Sequence, residues 1–261
     1  MNFPKKSLGQ NFLIDKNIIK KIVTTVKIKG RNIIEIGPGA GSLTNEIIRS
    51  KPKSLILIEK DFSLYKELKL KYKKEKNIKI FCYDFLKFNL NSILKKNTII
   101  FGNLPYNISS QIFVKILKFG YWPPKYTDLI LMFQKELGEK IIAKFPSSKY
   151  GRLSILTNLV FFLKKKFLVS PNCFKPRPKI NSIVLHLKPK PRKLGNFKNI
   201  NNLEKITNIL FSNKRKMINK NLKKILNINE IDLIQDIKMF LRPSEISPDI
   251  YYKITEIFEK K

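Results

Sequence analysis

The chain is poor in the residues that build redox, zinc and disulfide sites: two cysteines, Cys82 and Cys173, and one histidine, His186, in 261 residues. The cysteines stand far apart without paired Cys or His ligands, which argues against a disulfide framework or a zinc site and predicts reduced thiols and no metal. His186 falls in the alternating stretch Ile183-Val184-Leu185-His186-Leu187, a strand pattern, so Ser-His-Asp chemistry is not expected. No apolar run approaches the ~18 residues of a membrane span, and Met1 to Ser7 contains no apolar core of a secretory signal. A soluble, cytoplasmic protein without a membrane partner is expected. Acidic side chains are scarce as well, 19 against 53 basic ones, for a formal charge of +34. Such a surplus repels itself in a compact fold and favours a polyanionic partner, nucleic acid in particular. The lysine excess is accompanied by abundant Asn and Ile, so part of it reflects compositional bias.

Short apolar runs alternate with segments of helical periodicity. Asn32 to Ile36, Ser54 to Ile58, Ile78 to Tyr83, Thr98 to Phe101 and Asp128 to Phe133 read as strands. The alternation predicts an α/β fold with a mostly parallel sheet, helices on both faces, and ligands at the carboxyl ends of the strands. Leu159 to Val169 and Asn181 to Leu187 are expected as a closing antiparallel pair. Lys188-Pro189-Lys190-Pro191-Arg192-Lys193 then breaks the pattern as a linker, and apolar residues recur at helical spacing from Leu203. The expected domains are residues 1–193, α/β, and 194–261, a small all-helical unit.

The candidate chemistry sits at strand ends. Gly37-Pro38-Gly39-Ala40-Gly41 after the first strand lets backbone approach a nucleotide-containing cofactor, although packing or a dehydrogenase dinucleotide site would use a similar turn. Glu59 closes the next strand 22 positions after Gly37, where a carboxylate can accept from both ribose hydroxyls. Asp84 follows the third strand and can accept from an adenine amine. Asn103-Leu104-Pro105-Tyr106, after the fourth, pairs the Asn103 side-chain oxygen with a backbone carbonyl as acceptors and adds a Tyr face for stacking; the bland alternative is a β-turn with a packed Tyr.

These four groups occur in the order and spacing of the S-adenosylmethionine-dependent methyltransferase fold, of the Rossmann-like class I type with a seven-stranded sheet. Asn103 to Tyr106 resembles the motif of N6-adenine methyltransferases, a set for which a dehydrogenase has no use. More narrowly, Phe101 to Ser110 resembles the ribosomal RNA adenine dimethyltransferases, and Lys5-Lys6-Ser7-Leu8-Gly9-Gln10-Asn11-Phe12-Leu13 resembles the small-subunit (16S) rRNA adenine N6-dimethyltransferases among them. Phe133 to Glu136, Tyr150 to Ser154, Phe174 to Ser182 and Lys214-Arg215-Lys216 extend the likeness over nearly the whole chain. Two positions depart from the family pattern: Ile180-Asn181 stands in place of Val-Asp, and Lys214-Arg215 in place of paired arginines.

The resemblance implies transfer of methyl groups from S-adenosylmethionine to N6 of two adjacent adenosines in the 3'-terminal hairpin of small-subunit rRNA, within a pre-30S particle, by a monomer. It implies that Asn11 and Leu13 cover the cofactor, that Gly37, Gly39, Glu59, Asp84 and Asn103 bind it, and that Asn103, Leu104, Pro105, Tyr106 and Phe174 form the catalytic set. Tyr106 and Phe174 would sandwich the flipped base, Phe174 otherwise packing a loop. Lys175, Arg177 and Lys179, interleaved with prolines, and Lys214, Arg215 and Lys216, in a longer basic run from Lys205 to Lys224, are the expected phosphate contacts; a solvated charged surface is the alternative for both. Two other functions remain open at this point: a large-subunit (23S) rRNA methyltransferase of the macrolide-resistance type, and a non-catalytic RNA-binding assembly factor.

Overall fold

The structure, a computed structural model, describes residues 10–118, 122–191, 195–234 and 237–260. Residues 5 to 9 of the N-terminal motif, Arg192 and Lys193 of the linker, and the expected boundary between 193 and 194 lie outside the described residues. The chain forms two compact units, one of residues up to 116 with 123–138 and 162–189, the other of 117–122, 139–161 and 190 onward.

In the first unit the elements run β1 (Phe12–Leu13), α1 (Lys16–Val23), β2 (Asn32–Ile36), α2 (Ser42–Arg49), β3 (Ser54–Glu59), α3 (Phe62–Lys71), β4 (Ile78–Cys82), β5 (Thr98–Asn103), α4 (Ser109–Leu117) and β6 (Tyr126–Gln134). Helix α5 (Lys135–Ile141) straddles the division between the units, and α6 (Arg152–Val160) belongs to the second. Strands β7 (Phe161–Val169), β8 (Phe174–Lys175) and β9 (Ser182–Pro189) complete the sheets. The main sheet has seven strands in the order β4-β3-β2-β5-β6-β9-β7. The pairs among β2 to β6 are parallel, and β9 runs antiparallel to β6 with Leu131 opposite Leu185.

The five parallel-strand runs read from the sequence therefore stand, with β3, β5 and β6 longer by one or two residues at their ends and β4 one residue shorter, ending at Cys82. The central strands β2, β3 and β5 are buried along nearly their whole length, as a parallel sheet covered on both faces requires. Ile33, Leu55, Leu57, Ile99 and Phe101 join Ile22, Leu43 and Leu68 of the helices in one core. Helix starts follow local chemistry: Asp15 caps α1 through Ile18 N–H, and Asp61 caps α3 through Ser63 N–H and Leu64 N–H.

One sequence expectation is corrected. Leu159 and Val160 end helix α6 instead of opening a strand, because the apolar run continues unbroken from helix into strand and gives no change of period to read. The N-terminus of α6 is fixed locally, Gly151 N–H donating to Ser154 Oγ at 3.0 Å. The expected pairing of these last two strands is present: β7, at the sheet edge, is hydrogen-bonded to β9, which also runs antiparallel to β6 on its other side.

The strand order reverses between β2 and β5. Register there is in phase, Ile36 opposite Gly102, so the loop after β2 and the turn after β5 leave the sheet side by side. That is the switch point at which open α/β sheets bind ligands. A separate two-stranded antiparallel sheet pairs β1 with β8, Leu13 opposite Phe174 and Phe12 opposite Lys175.

Among its described residues the second unit has helices and, as its one strand residue, the first of β7. Its later elements are α7 (Ile200–Phe211), α8 (Asn219–Leu222), α9 (Ile228–Asp232) and α10 (Pro248–Phe258). Leu203, Ile206 and Leu210 of α7 and Tyr251, Ile254 and Ile257 of α10 supply buried stripes at helical spacing. Tyr252 OH donates to the Ile155 carbonyl at 3.0 Å, tying α10 to α6, so this unit takes in α6 as well as the residues beyond 190.

Candidate active site

A cavity opens at the carboxyl edge of β2, β3, β4 and β5. Asn11, Phe12, Leu13, Gly37, Gly39, Glu59, Asp84, Asn103, Leu104, Pro105 and Tyr106 all line it. Every residue expected to bind the cofactor, and four of the five expected to act on the base, thus meet in one concavity.

The loop after β2 passes close under the ligand space. Gly39 has φ +57°, which favours glycine, and a Cβ there would stand 3.1 Å from the Phe12 ring, a tight contact the ring would have to yield to. Its N–H donates to Glu59 Oε2 at 3.0 Å, while Asp61 N–H donates to Oε1 at 2.8 Å. Glu59 is 6% exposed. Burial raises its pKa above the ordinary carboxylate range, and the backbone donors pull the other way.

Behind the loop, Glu35 is 1% exposed and accepts from Thr44 Oγ1 at 2.7 Å, joining the end of β2 to helix α2. Desolvation lifts its carboxyl to about 7, with Thr44 opposing and Glu59 adding to the rise. Asp84 bonds Lys60 Nζ at 2.8 Å through one oxygen and caps Leu86 N–H at 2.9 Å through the other. The lysine, first among the causes, holds Asp84 below its usual range.

At the end of β5, Asn103 Nδ2 donates to the Asn11 carbonyl at 3.1 Å. The tether fixes which way the amide faces and leaves Oδ1 as an acceptor without a protein donor among the described residues. Tyr106 OH and Ser182 Oγ are 2.6 Å apart, and burial raises the phenol pKa, so Tyr106 stays neutral and is no base. Leu104 is 1% exposed.

Phe174 does not line the cavity. It is 3% exposed and lies in the core cluster with Leu13, Ile19, Val169 and Cys173. Its place opposite Leu13 makes it an anchor for β1, the strand that brings Asn11 to Leu13 over the cavity. Lys175, Arg177 and Lys179 are exposed just beyond it, and Lys214, Arg215 and Lys216 are exposed in the turn after α7 of the second unit. Among the described residues no cluster of His, Cys, Asp or Glu is placed to hold a metal, and no helix is long and apolar enough to cross a membrane. His186 stands on β9 with Nε2 2.8 Å from Asp128 Oδ1, and both cysteines are free.

Sequence reading had not singled out Phe12, Glu35 or Lys60. The signal for Phe12 lay in plain view between Asn11 and Leu13, but only the fold of β1 over Gly39 gives its ring a role. Glu35 carries no legible sign in sequence because its partner Thr44 lies across a loop.

The doubly wound sheet, the glycine loop opposite an acidic strand end, and the Asn-Leu-Pro-Tyr turn at the switch point define a class I S-adenosylmethionine-dependent methyltransferase fold. The model of the family described as ribosomal RNA adenine dimethylase matches residues 1–260. The ribosomal RNA small subunit methyltransferase A of Pelagibacter ubique is 44% identical over 259 residues, 98% of this chain and 97% of that protein. Its counterpart from Malacoplasma penetrans is 39% identical, covering 97% and 91%. The chain belongs to the ribosomal RNA adenine dimethylase family. Among solved structures, a dimethyladenosine transferase from Plasmodium falciparum superposes with TM-score 0.79 at 27% identity over 95% of this chain and 98% of that one. The 23S rRNA methyltransferase ErmE shares the fold, TM-score 0.70 at 23% identity over 95% and 100%.

Proposed function

We propose that this enzyme transfers methyl groups from S-adenosylmethionine to N6 of two adjacent adenosines in the 3'-terminal hairpin of small-subunit rRNA, two to each, working in the cytoplasm as a monomer on a pre-30S particle. The observation that carries the reading is the meeting of Asn103 with Gly37, Gly39 and Glu59 in one cavity.

The residues fit the methyl donor. Gly37 and Gly39 leave the backbone bare where a nucleoside lies, Glu59 offers buried carboxylate oxygens to ribose hydroxyls, and Asp84 offers one to an adenine amine. When bound, the donor supplies an electrophilic methyl on sulfur. An adenine amine is a weak nucleophile because its lone pair is drawn into the ring. Asn103 Oδ1 and the Leu104 carbonyl accept its two hydrogens and draw the nitrogen toward a pyramidal form with the lone pair free. The tether to Asn11 keeps Oδ1 fixed for this task. No side-chain base is needed, since the amine proton becomes acidic once the nitrogen is alkylated and can leave to water. Catalysis is then largely alignment, which is capable of lowering a barrier by ~7–11 kcal/mol.

Tyr106 supplies a stacking face for the extruded base. Phe174, held in the core, acts in this structure by seating β1; to stack directly it has to leave that cluster. Lys175, Arg177 and Lys179 beside it, and Lys214, Arg215 and Lys216 in the second unit, contact phosphates without reading sequence.

Primer extension across both ribosomal RNAs, after incubation of unmodified subunits with enzyme and labelled donor, tests the reading. Stops at paired adenosines near the 3' end of the small-subunit RNA are expected. Stops on large-subunit RNA alone would replace it with the macrolide-resistance activity, and no incorporation at all with the binding-only role. RNA affinity should fall steeply with salt; a flat plot of log K against log salt removes the phosphate contacts.

A further inference from the structure

Helix α3 leaves the cavity edge directly: Glu59 and Lys60 line the cavity, Asp61 caps the helix, and Phe62 follows three residues after Glu59. Leu64 and Leu68 supply its buried face, at 3% and 1% exposure. The opposite face should be polar on a surface helix. Instead it carries aromatic rings. Phe62 is 58% exposed and stacks on the half-buried Tyr65, with ring centroids 6.2 Å apart and planes inclined by 23°. Two ammonium groups rest on the pair, Lys66 Nζ 4.5 Å from the Phe62 centroid and Lys69 Nζ 5.5 Å from that of Tyr65. Phe62, so exposed, adds little to the core.

We infer that Phe62 and Tyr65, with Lys66 and Lys69, form a second RNA-binding platform that stacks an unpaired nucleotide beside the cavity while a target adenosine occupies it. The inference rests on the reading of the substrate as RNA. An exposed ammonium–ring contact is weaker than a stacked base, so an arriving base displaces the lysine, whose ammonium is freed to meet the adjoining phosphate. Charge favours that occupant over a protein: residues 60 to 76 hold seven lysines against three carboxylates, a net +4, and one of the three, Asp61, is buried as the helix cap. Stacking on a ring tolerates any base, so the platform adds grip without sequence choice and steadies the strand from which a neighbouring base has been flipped.

The test uses the full-length protein with Phe62 and Tyr65 both changed to leucine, which keeps apolar bulk and removes the rings, and separately Lys66→Ala. Probes are an oligoribonucleotide with an unpaired stretch carrying 2-aminopurine and a fully paired duplex of the same length. The double variant should bind the unpaired RNA about tenfold more weakly, lose 2-aminopurine quenching, and bind the duplex unchanged, with an unaltered melting temperature. Lys66→Ala should weaken binding of both probes slightly and flatten the salt dependence. Undiminished binding and quenching in the double variant overturn the platform. So does a loss seen only with assembled subunits and not with naked RNA, which marks a protein contact. If wild-type enzyme methylates small-subunit rRNA while the double variant binds like wild type, the platform alone falls; if wild type leaves that RNA unmodified, the reading beneath it falls.

Discussion

Asn103 Nδ2 donates to the main-chain carbonyl of Asn11, 92 residues earlier in the chain, at 3.1 Å. This bond joins the end of the fourth parallel strand to the short strand lying over the cavity. The nitrogen of this one side chain holds the cover, and its oxygen is the acceptor that we propose meets the substrate.

Asn103→Ala should therefore lower single-turnover methyl transfer by ~10²–10³-fold, the usual loss for one preorganised polar contact to the reacting group. Cofactor affinity, measured by calorimetry, should fall only a few-fold through the loosened cover. Asn103→Asp sets a carboxylate against the Asn11 carbonyl and should weaken cofactor binding more than alanine does. Unchanged turnover in Asn103→Ala removes the residue from the mechanism.

Glu59→Ala removes charge-assisted hydrogen bonds worth ~1.5–3 kcal/mol each and should weaken cofactor binding accordingly. Because burial raises the pKa of Glu59, its ionised form is lost at a higher pH than an ordinary carboxylate's. Cofactor affinity should decline as pH falls through that raised value, and Glu59→Gln should bind weakly with little pH dependence. Calorimetric titration at several pH values checks both.

Glu35 bears on stability. Its carboxyl titrates at about 7 in the fold, against an ordinary value of 4.5. Between these values the folded protein retains a proton that the unfolded chain has released, so this group's contribution to stability falls as pH rises from 4.5 to about 7. Glu35→Gln should flatten that part of the profile in denaturant titrations. A slope that persists in the variant assigns it to other groups.

Phe174→Ala should destabilise the protein by ~3–5 kcal/mol, since it empties a site in the core cluster. Phe174→Leu should cost less and keep much of the turnover. If Phe174→Leu abolishes methylation with the melting temperature unchanged, the ring stacks on substrate and leaves the core to do so.

Gly39→Ala places a side chain at φ +57° and 3.1 Å from the Phe12 ring. The backbone term alone is ~1–2 kcal/mol. A lowered melting temperature and weaker cofactor binding are expected together, because the loop and its cover move as one.

Much of the fold was legible because its signals are local. The runs Asn32 to Ile36 and Thr98 to Phe101 are short, apolar and β-branched, and appear as strands with those cores intact. Glu59 and Asn103 could be placed at strand ends by counting from those runs, and both are the last residues of their strands. Legibility failed where the deciding partner is remote. Leu159 and Val160 look like strand residues until the helical packing of α6 is known. Phe174 carries a stacking aromatic's chemistry, yet its pairing opposite Leu13 buries it.

The sequence by itself determined the parallel α/β pattern, the glycine loop and the acids and amide at the strand ends, since backbone freedom, hydrophobic period and side-chain chemistry are properties of neighbouring residues. Tertiary structure decided the strand order β4-β3-β2-β5-β6-β9-β7, the Asn11–Asn103 tether, the burial of Phe174 and the elevated pKa of Glu35. Each of these depends on which distant groups share a space and how much water is excluded between them, and that is fixed only when the chain has closed.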